Sequence, residues 1–250
     1  MFEEMINTIQ LGDCYELIKK IPDKSIDCVY VDVPYLLPNS RGKGGGILGE
    51  RFNQGQKELK TISEGINYEI LEEFKRITKK MNCFIWCNKF MFKDILNFIY
   101  ENNYKFELLI WEKTNPFPMT RNVWLGDCEY CFWIAEKGIV LNDGIELKKK
   151  IYTSSINQSD KDKFNHPTIK PLELVKRHIL HSTQPDDIVL DCFCGSGTTC
   201  VAAKETGRRY IGMEIDPEYH KIAVDRLNGI EASGQTTIFT NFSQLGENND

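Results

Sequence analysis

The stretch from Ile188 to Leu227 constrains the fold more than any other part of the chain. It reads as a buried strand (Ile188–Cys192), a glycine turn, a helix (Thr198–Glu205), a strand (Tyr210–Ile215) and a helix (Pro217–Leu227). Gly207 stands where a left-handed cap would end the first helix. Asp216 and Pro217 supply an N-cap and a first-turn proline for the second. Strands joined through helices lie parallel, so the expectation is an α/β fold with a mostly parallel sheet and helices on both faces. The same alternation runs upstream. Strands are expected at Asn7–Leu11, Asp27–Asp32, Cys83–Cys87, Phe106–Trp111 and Tyr130–Ala135. Helices are expected at Tyr15–Lys20, Tyr68–Lys79, Met91–Glu101 and Pro171–His181.

Two stretches break the pattern. Val33 to Gly65 holds seven glycines with scattered Arg and Lys, and residues 36–66 read as a Gly-rich mobile loop. Gly138–Phe164 is polar and weakly patterned, after an Asn115-Pro116-Phe117-Pro118 run that suits neither strand nor helix. The tail from Gly229 has one apolar patch, Thr237–Phe242, and ends polar and frayed. The length of 250 residues fits a single domain over 1–250.

Composition narrows the function. A net charge of −5 is not that of a protein that coats nucleic acid. It leaves room for local basic surface at Arg41, Lys43 and Arg51, at Lys113 and Arg121, and at Lys148–Lys150 with Lys161 and Lys163, each of which also reads as solvated surface. No apolar run reaches the roughly 18 residues of a membrane span, and the N-terminal segment lacks a secretory pattern. The expected location is the cytoplasm. Nine cysteines, an odd count, fit a reducing compartment. Cys128-Glu129-Tyr130-Cys131 is half of a zinc pattern without a second half, so these read as structural cysteines and no metal is expected.

The glycine turn is a ligand site in outline. Gly195 and Gly197 let a ligand approach the backbone, and the free N–H groups that open the helix at Thr198 favour a carboxylate. Glu214 ends the next strand, 17 residues after Gly197, where an acid can accept from both ribose hydroxyls. A dinucleotide site shares this geometry, but it wants a third glycine where Cys200 stands. Asp191 tips the balance. It offers a partner to the α-ammonium of S-adenosylmethionine, whereas it would repel a pyrophosphate.

Asp32-Val33-Pro34-Tyr35 follows an apolar strand, at the sheet edge where such folds bind ligands. It could be no more than a strand end with a proline turn. It also suits the chemistry of an exocyclic amino group, whose lone pair is delocalised. A carboxylate (Asp32) and a backbone carbonyl (Pro34) can take its two N–H bonds and aim the lone pair at a methyl group, so that catalysis is mostly orientation. Tyr35 offers a flat face for a base rotated out of the duplex.

On these motifs, from about Ile9 to Leu227, the chain resembles the β group of DNA amino-methyltransferases. Further matching segments are Leu11-Gly12-Asp13, Trp111-Glu112-Lys113-Thr114-Asn115-Pro116, His166-Pro167-Thr168-Ile169-Lys170-Pro171 and Asp191–Thr199. The catalytic motif precedes the cofactor turn, a permuted order that marks this group. The resemblance implies a Rossmann-like class I methyltransferase fold with S-adenosylmethionine as cofactor. Asp13 would contact the cofactor's adenine amino group, Lys170 its carboxylate, Asp191 its α-ammonium and Glu214 its ribose, with Phe193, Gly195, Gly197 and Thr198 forming the turn. Asp13 also reads as an N-cap, Lys170 as a solvated lysine, and His166 as turn-forming. The family's motif usually opens Asp-Pro-Pro-Tyr for adenine-N6 and Ser-Pro-Pro-Tyr for cytosine-N4. Asp32 therefore implies adenine-N6 methylation, with cytosine-N4 as the near rival. Val33 replaces the first proline and implies a working but slower site, or else a non-catalytic DNA-binding subunit. A nicotinamide-dependent oxidoreductase is the rival from another class. Target recognition is expected in a short insertion over 121–165. Double-stranded DNA, a second copy of the chain and a cognate restriction endonuclease are the implied partners.

Overall fold

A computed structural model describes residues 2–36, 65–116, 124–156 and 169–230. Its centre is an eight-stranded sheet in the order β1-β8-β7-β2-β3-β5-β4-β6. The strands are β1 (Thr8–Leu11), β2 (Cys28–Asp32), β3 (Asn82–Cys87), β4 (Lys105–Lys113), β5 (Cys128–Ala135), β6 (Ile151–Ser154), β7 (Ile188–Asp191) and β8 (Arg209–Glu214). β5 runs antiparallel to both its neighbours, and the remaining pairs are parallel.

Side-chain alternation sends β2 into two cores. Val29, Val31 and Val33 face one, with Cys28 and Tyr30 facing the other. Helices α1 (Cys14–Leu17), α2 (Ile70–Ile77) and α3 (Phe92–Glu101) close the first core. Ile70, Leu71, Phe74 and Ile77 give α2 one apolar face at helical spacing. Burying Phe74 alone contributes about 2–3 kcal/mol. Helices α4 (Leu172–Ser182), α5 (Thr198–Glu205) and α6 (Pro217–Leu227) close the second core. The sheet thus has helices on both faces, as expected. α5 sits very close to the sheet. A Cβ on Gly212 of β8 would lie 2.9 Å from Cys200 Sγ and from Ile9 Cγ1, so the strand supplies the clearance that a third glycine would otherwise give the helix.

Two stretches depart from expectation. β6 lies in the weakly patterned region, because a short edge strand with exposed alternate residues carries little signal. β5 and β6 also fall within 121–165, so that stretch contributes two strands to the sheet. The other expected insertion, 36–66, lies mostly outside the described residues. Its two ends touch, since a Cβ on Gly65 would sit 3.4 Å from Leu36 Cβ.

The chain leaves β7 through α5 toward β8, and leaves β2 through α2 toward β3, on the opposite side. β2 and β7 are neighbours, paired at Cys28↔Val189 and Val29↔Leu190. Their carboxyl ends flank the point where strand order reverses, which is where open α/β sheets hold ligands. That register brings Asp32 and Asp191 to one crevice.

Candidate active site

Asp191 is 3% exposed. Its Oδ1 accepts the Phe193 N–H at 3.0 Å. Burial raises its carboxyl to about 7 against hydrogen bonds from Thr199 and Phe193, with Asp32 and Glu214 pushing the same way as burial. Gly195 and Gly197 turn the chain with φ of 49° and 78°. A Cβ on Gly197 would meet that of Ala223 at 3.0 Å, so this glycine also seats α6 against the turn. Glu214 is buried, and burial raises its carboxyl. Its two oxygens accept the N–H groups of Gly195 (2.8 Å) and Asp216 (2.9 Å), and the Ile215 N–H also bonds the carboxylate, which leaves lone-pair capacity for another donor. The Thr198 hydroxyl accepts from Arg226 of α6 at 2.8 Å. Phe193 meets Tyr15 edge-on at 6.5 Å between centroids. Asp13 is exposed and caps α1 by accepting the Tyr15 N–H at 2.8 Å.

The other side of the crevice is built differently. Lys170 Nζ lies 2.5 Å from Asp32 Oδ2 and 3.0 Å from Glu129 Oε2, with its side chain 8% exposed. It also sits over the rings of Trp86 and Tyr35, at 5.3 and 5.7 Å. Lys113 Nζ is 2.6 Å from the other oxygen of Glu129. Four charges therefore alternate in sign from Lys113 through Glu129 and Lys170 to Asp32. The Tyr35 hydroxyl lies 3.2 Å from Asp32 Oδ1 and 3.3 Å from Glu129 Oε2. Burial raises the Asp32 carboxyl, with Lys170 pulling against it. Burial would raise Glu129 too, but Lys170 and Lys113 hold it down at about 2. Burial works against the Lys170 ammonium, yet Asp32 and Glu129 hold it above its ordinary value.

A family model described as "DNA methylase" matches residues 26–225, most of the chain and both sides of this crevice. The chain belongs to the DNA methylase family. The Type II methyltransferase M.HinfI of Haemophilus influenzae is 32% identical over 91% of this chain and 70% of its own. M2.MboI of Moraxella bovis is 30% identical over 89% of this chain and 88% of its own. Among solved structures, the M1.HpyAVI complex with S-adenosylmethionine is 27% identical, with a TM-score of 0.65, over 88% of this chain and 98% of its own. The cytosine-N4-specific PvuII methyltransferase shares the fold, with a TM-score of 0.66 at 20% identity.

In this methyltransferase the donor side of the crevice has the chemistry that S-adenosylmethionine needs. Asp191 is a buried carboxylate that no ammonium or guanidinium among the described residues neutralises, as an α-ammonium would. Glu214 has acceptor capacity to spare. Lys170, expected at the cofactor's carboxylate, is engaged by Asp32 and Glu129. Asp13 is placed as the N-cap that its sequence context also allowed. Val33 turns out to be well accommodated. Its side chain is buried in the core, and the N–H that a proline would lack lies 3.4 Å from the Trp86 carbonyl, extending the β2–β3 ladder. No donor among the described residues engages the Pro34 carbonyl.

Glu129 is the site residue that sequence reading missed. Its neighbour in sequence, Cys131, is wholly buried, and all nine cysteines are free thiols. Among the described residues no cluster of His, Cys, Asp and Glu is placed to hold a metal. Lys148, Lys149 and Lys150 each pair with an acid, Asp143, Glu146 and Glu107 respectively, so that basic patch is largely neutralised. His166 to Thr168 and the basic residues Arg41, Lys43, Arg51, Arg121, Lys161 and Lys163 lie outside the described residues.

Proposed function

We propose that this enzyme methylates the N6 amino group of adenine in double-stranded DNA, acting on a base rotated into the crevice. The observation that carries the reading is Asp32, a carboxylate rather than a serine, at the carboxyl end of β2 beside the Asp191 turn. When bound, S-adenosylmethionine supplies an electrophilic methyl group on a cationic sulfonium. Asp191 holds the cofactor's ammonium and Glu214 its ribose, while the Gly195–Gly197 turn lets it lie against the backbone. Asp32 and the Pro34 carbonyl accept the two N–H bonds of the target amine and orient its lone pair for in-line attack. Tyr35 stacks on the base. Trp124, 96% exposed, precedes β5 at the same sheet edge and offers a second aromatic surface to unstacked DNA.

The test is mass spectrometry of nucleosides from DNA treated with the enzyme and S-adenosylmethionine. N6-methyladenine is expected, and N4-methylcytosine in its place overturns the assignment. We also read the chain as one methyltransferase domain over 1–250, with recognition in 36–66 and the non-strand parts of 121–165. It acts in the cytoplasm as a homodimer, alongside a restriction endonuclease with the same target. No described helix is long and apolar enough to cross a membrane.

A further inference from the structure

The Tyr35 hydroxyl has one proton and two carboxylates within reach, Asp32 Oδ1 at 3.2 Å and Glu129 Oε2 at 3.3 Å. Asp32 Oδ2 is already taken by Lys170 at 2.5 Å. If Asp32 is to accept an N–H of the target amine, Oδ1 is the oxygen left, and Tyr35 stands on it. A hydroxyl moved off a carboxylate and left without an acceptor in a half-buried site is penalised for the unmade hydrogen bond. Glu129 removes that cost, because it offers the same hydroxyl another ionised acceptor at almost the same distance.

We infer that Glu129 is a positioning residue for methyl transfer: it takes over the Tyr35 hydroxyl and holds Lys170 on Oδ2, which frees Asp32 Oδ1 for the target amine. This rests on the reading of Asp32 as the amine's acceptor. Glu129 does not touch the substrate. Its side chain is 21% exposed and anchored from behind by Lys113 at 2.6 Å. That anchor leaves Oε2 facing Lys170 and Tyr35. No bond to carbon forms or breaks at Glu129, and the Tyr35 proton stays on its oxygen throughout, changing only the carboxylate it points to.

Charge gives the inference a second signature. Glu129 disfavours ionisation of Asp32, so its loss makes the Asp32 carboxylate easier to form. The other titratable groups facing Asp32 are Lys170, Tyr35, Tyr30 on its own strand, Cys87 on β3, Cys131 on β5 and Asp191 on β7. Asp191 also titrates near neutrality, so the profile is recorded with saturating S-adenosylmethionine, which holds it ionised.

The experiment measures transfer of labelled methyl to DNA, whichever base receives it, for Glu129→Leu, Glu129→Gln, Tyr35→Phe and Glu129→Leu/Tyr35→Phe. Calorimetric binding of S-adenosylmethionine serves as the folding control. Glu129→Leu should lower kcat about a hundredfold with cofactor affinity unchanged, and Glu129→Gln, which keeps an acceptor for Tyr35, about tenfold. Adding Tyr35→Phe to Glu129→Leu should recover about tenfold, since the competing hydroxyl is gone. The acid limb of kcat/KM for Glu129→Gln should move to lower pH. A structural defect predicts neither the recovery nor that shift. The inference is overturned if Glu129→Leu keeps kcat within twofold, or if Tyr35→Phe fails to restore it. Should Glu129→Leu not fold, Glu129→Gln carries the test, where about a tenfold loss of kcat with an acid-limb shift supports the inference and the lack of either overturns it. An Asp32→Ala enzyme that still transfers methyl would instead refute the reading on which the inference rests.

Discussion

The two sides of the crevice treat buried carboxylates in opposite ways. Around Asp32 the protein balances its own charge, with two ammonium groups interleaved between two carboxylates. Around Asp191 it does not. That carboxyl receives neutral hydrogen bonds only, and its proton is held up to about pH 7. An internally balanced network keeps its geometry with or without ligand and suits a group that must orient a neutral amine. An unbalanced buried carboxylate is a cost that a cationic ligand removes, so it suits a group that must select one.

This contrast can be broken by experiment. Asp32→Ala should lower methyl transfer by on the order of 10²–10³-fold, while calorimetry shows S-adenosylmethionine binding unchanged. Retained transfer would put the chemistry elsewhere. Lys170→Met leaves two carboxylates facing each other and should cost about 3 kcal/mol in urea unfolding. Asp191→Asn should do the reverse to the cofactor-free protein. The folded state holds the Asp191 proton more tightly than the unfolded chain does, so its contribution to stability is lost as pH rises from about 4 through 7. The asparagine variant should therefore melt higher than the parent at pH 8 without cofactor, and bind S-adenosylmethionine about thirtyfold more weakly. If Lys170→Met and Asp191→Asn shift stability in the same direction, the two sides are not built on different principles. In the unaltered enzyme, cofactor affinity should fall by up to tenfold per pH unit below about 7, because the ammonium needs Asp191 ionised. The smallest effect belongs to Val33→Pro. Its N–H bond is long at 3.4 Å and its side chain fills apolar space that a proline ring can also fill, so kcat should stay within about threefold. A large gain in steady-state rate would mean that Val33 does slow the site.

The donor side was largely legible in the sequence, because Asp191, the two glycines and Glu214 stand at strand ends, where local pattern fixes what lies at the crevice. Asp32, Pro34 and Tyr35 were legible for the same reason. The residues around them were not. Glu129 lies between two cysteines in an apolar run, and it reaches the site through strand register, Trp111↔Glu129 and Trp86↔Cys131. No local period encodes register between strands so far apart in sequence. Lys170 was singled out by its motif, yet nothing in that motif distinguishes the cofactor's carboxylate from that of Asp32. In the scaffold, β6 escaped notice because four residues at an exposed edge carry neither enough apolar alternation nor enough length.

The pairing of β1 with β8 has a consequence for how the protein is made. β1 bonds to β8, the last strand among the described residues, at Thr8↔Ile211 through Leu11↔Glu214, and β2 must likewise wait for β7. At about 5–20 residues per second, β1 spends roughly ten to forty seconds without its neighbour. During that interval β2 and β3 can already pair, so the acceptor half of the crevice can form while the donor half is still being synthesised. Growth of the nascent chain thus orders the two halves in time, with the Asp191 side completed after the Asp32 side.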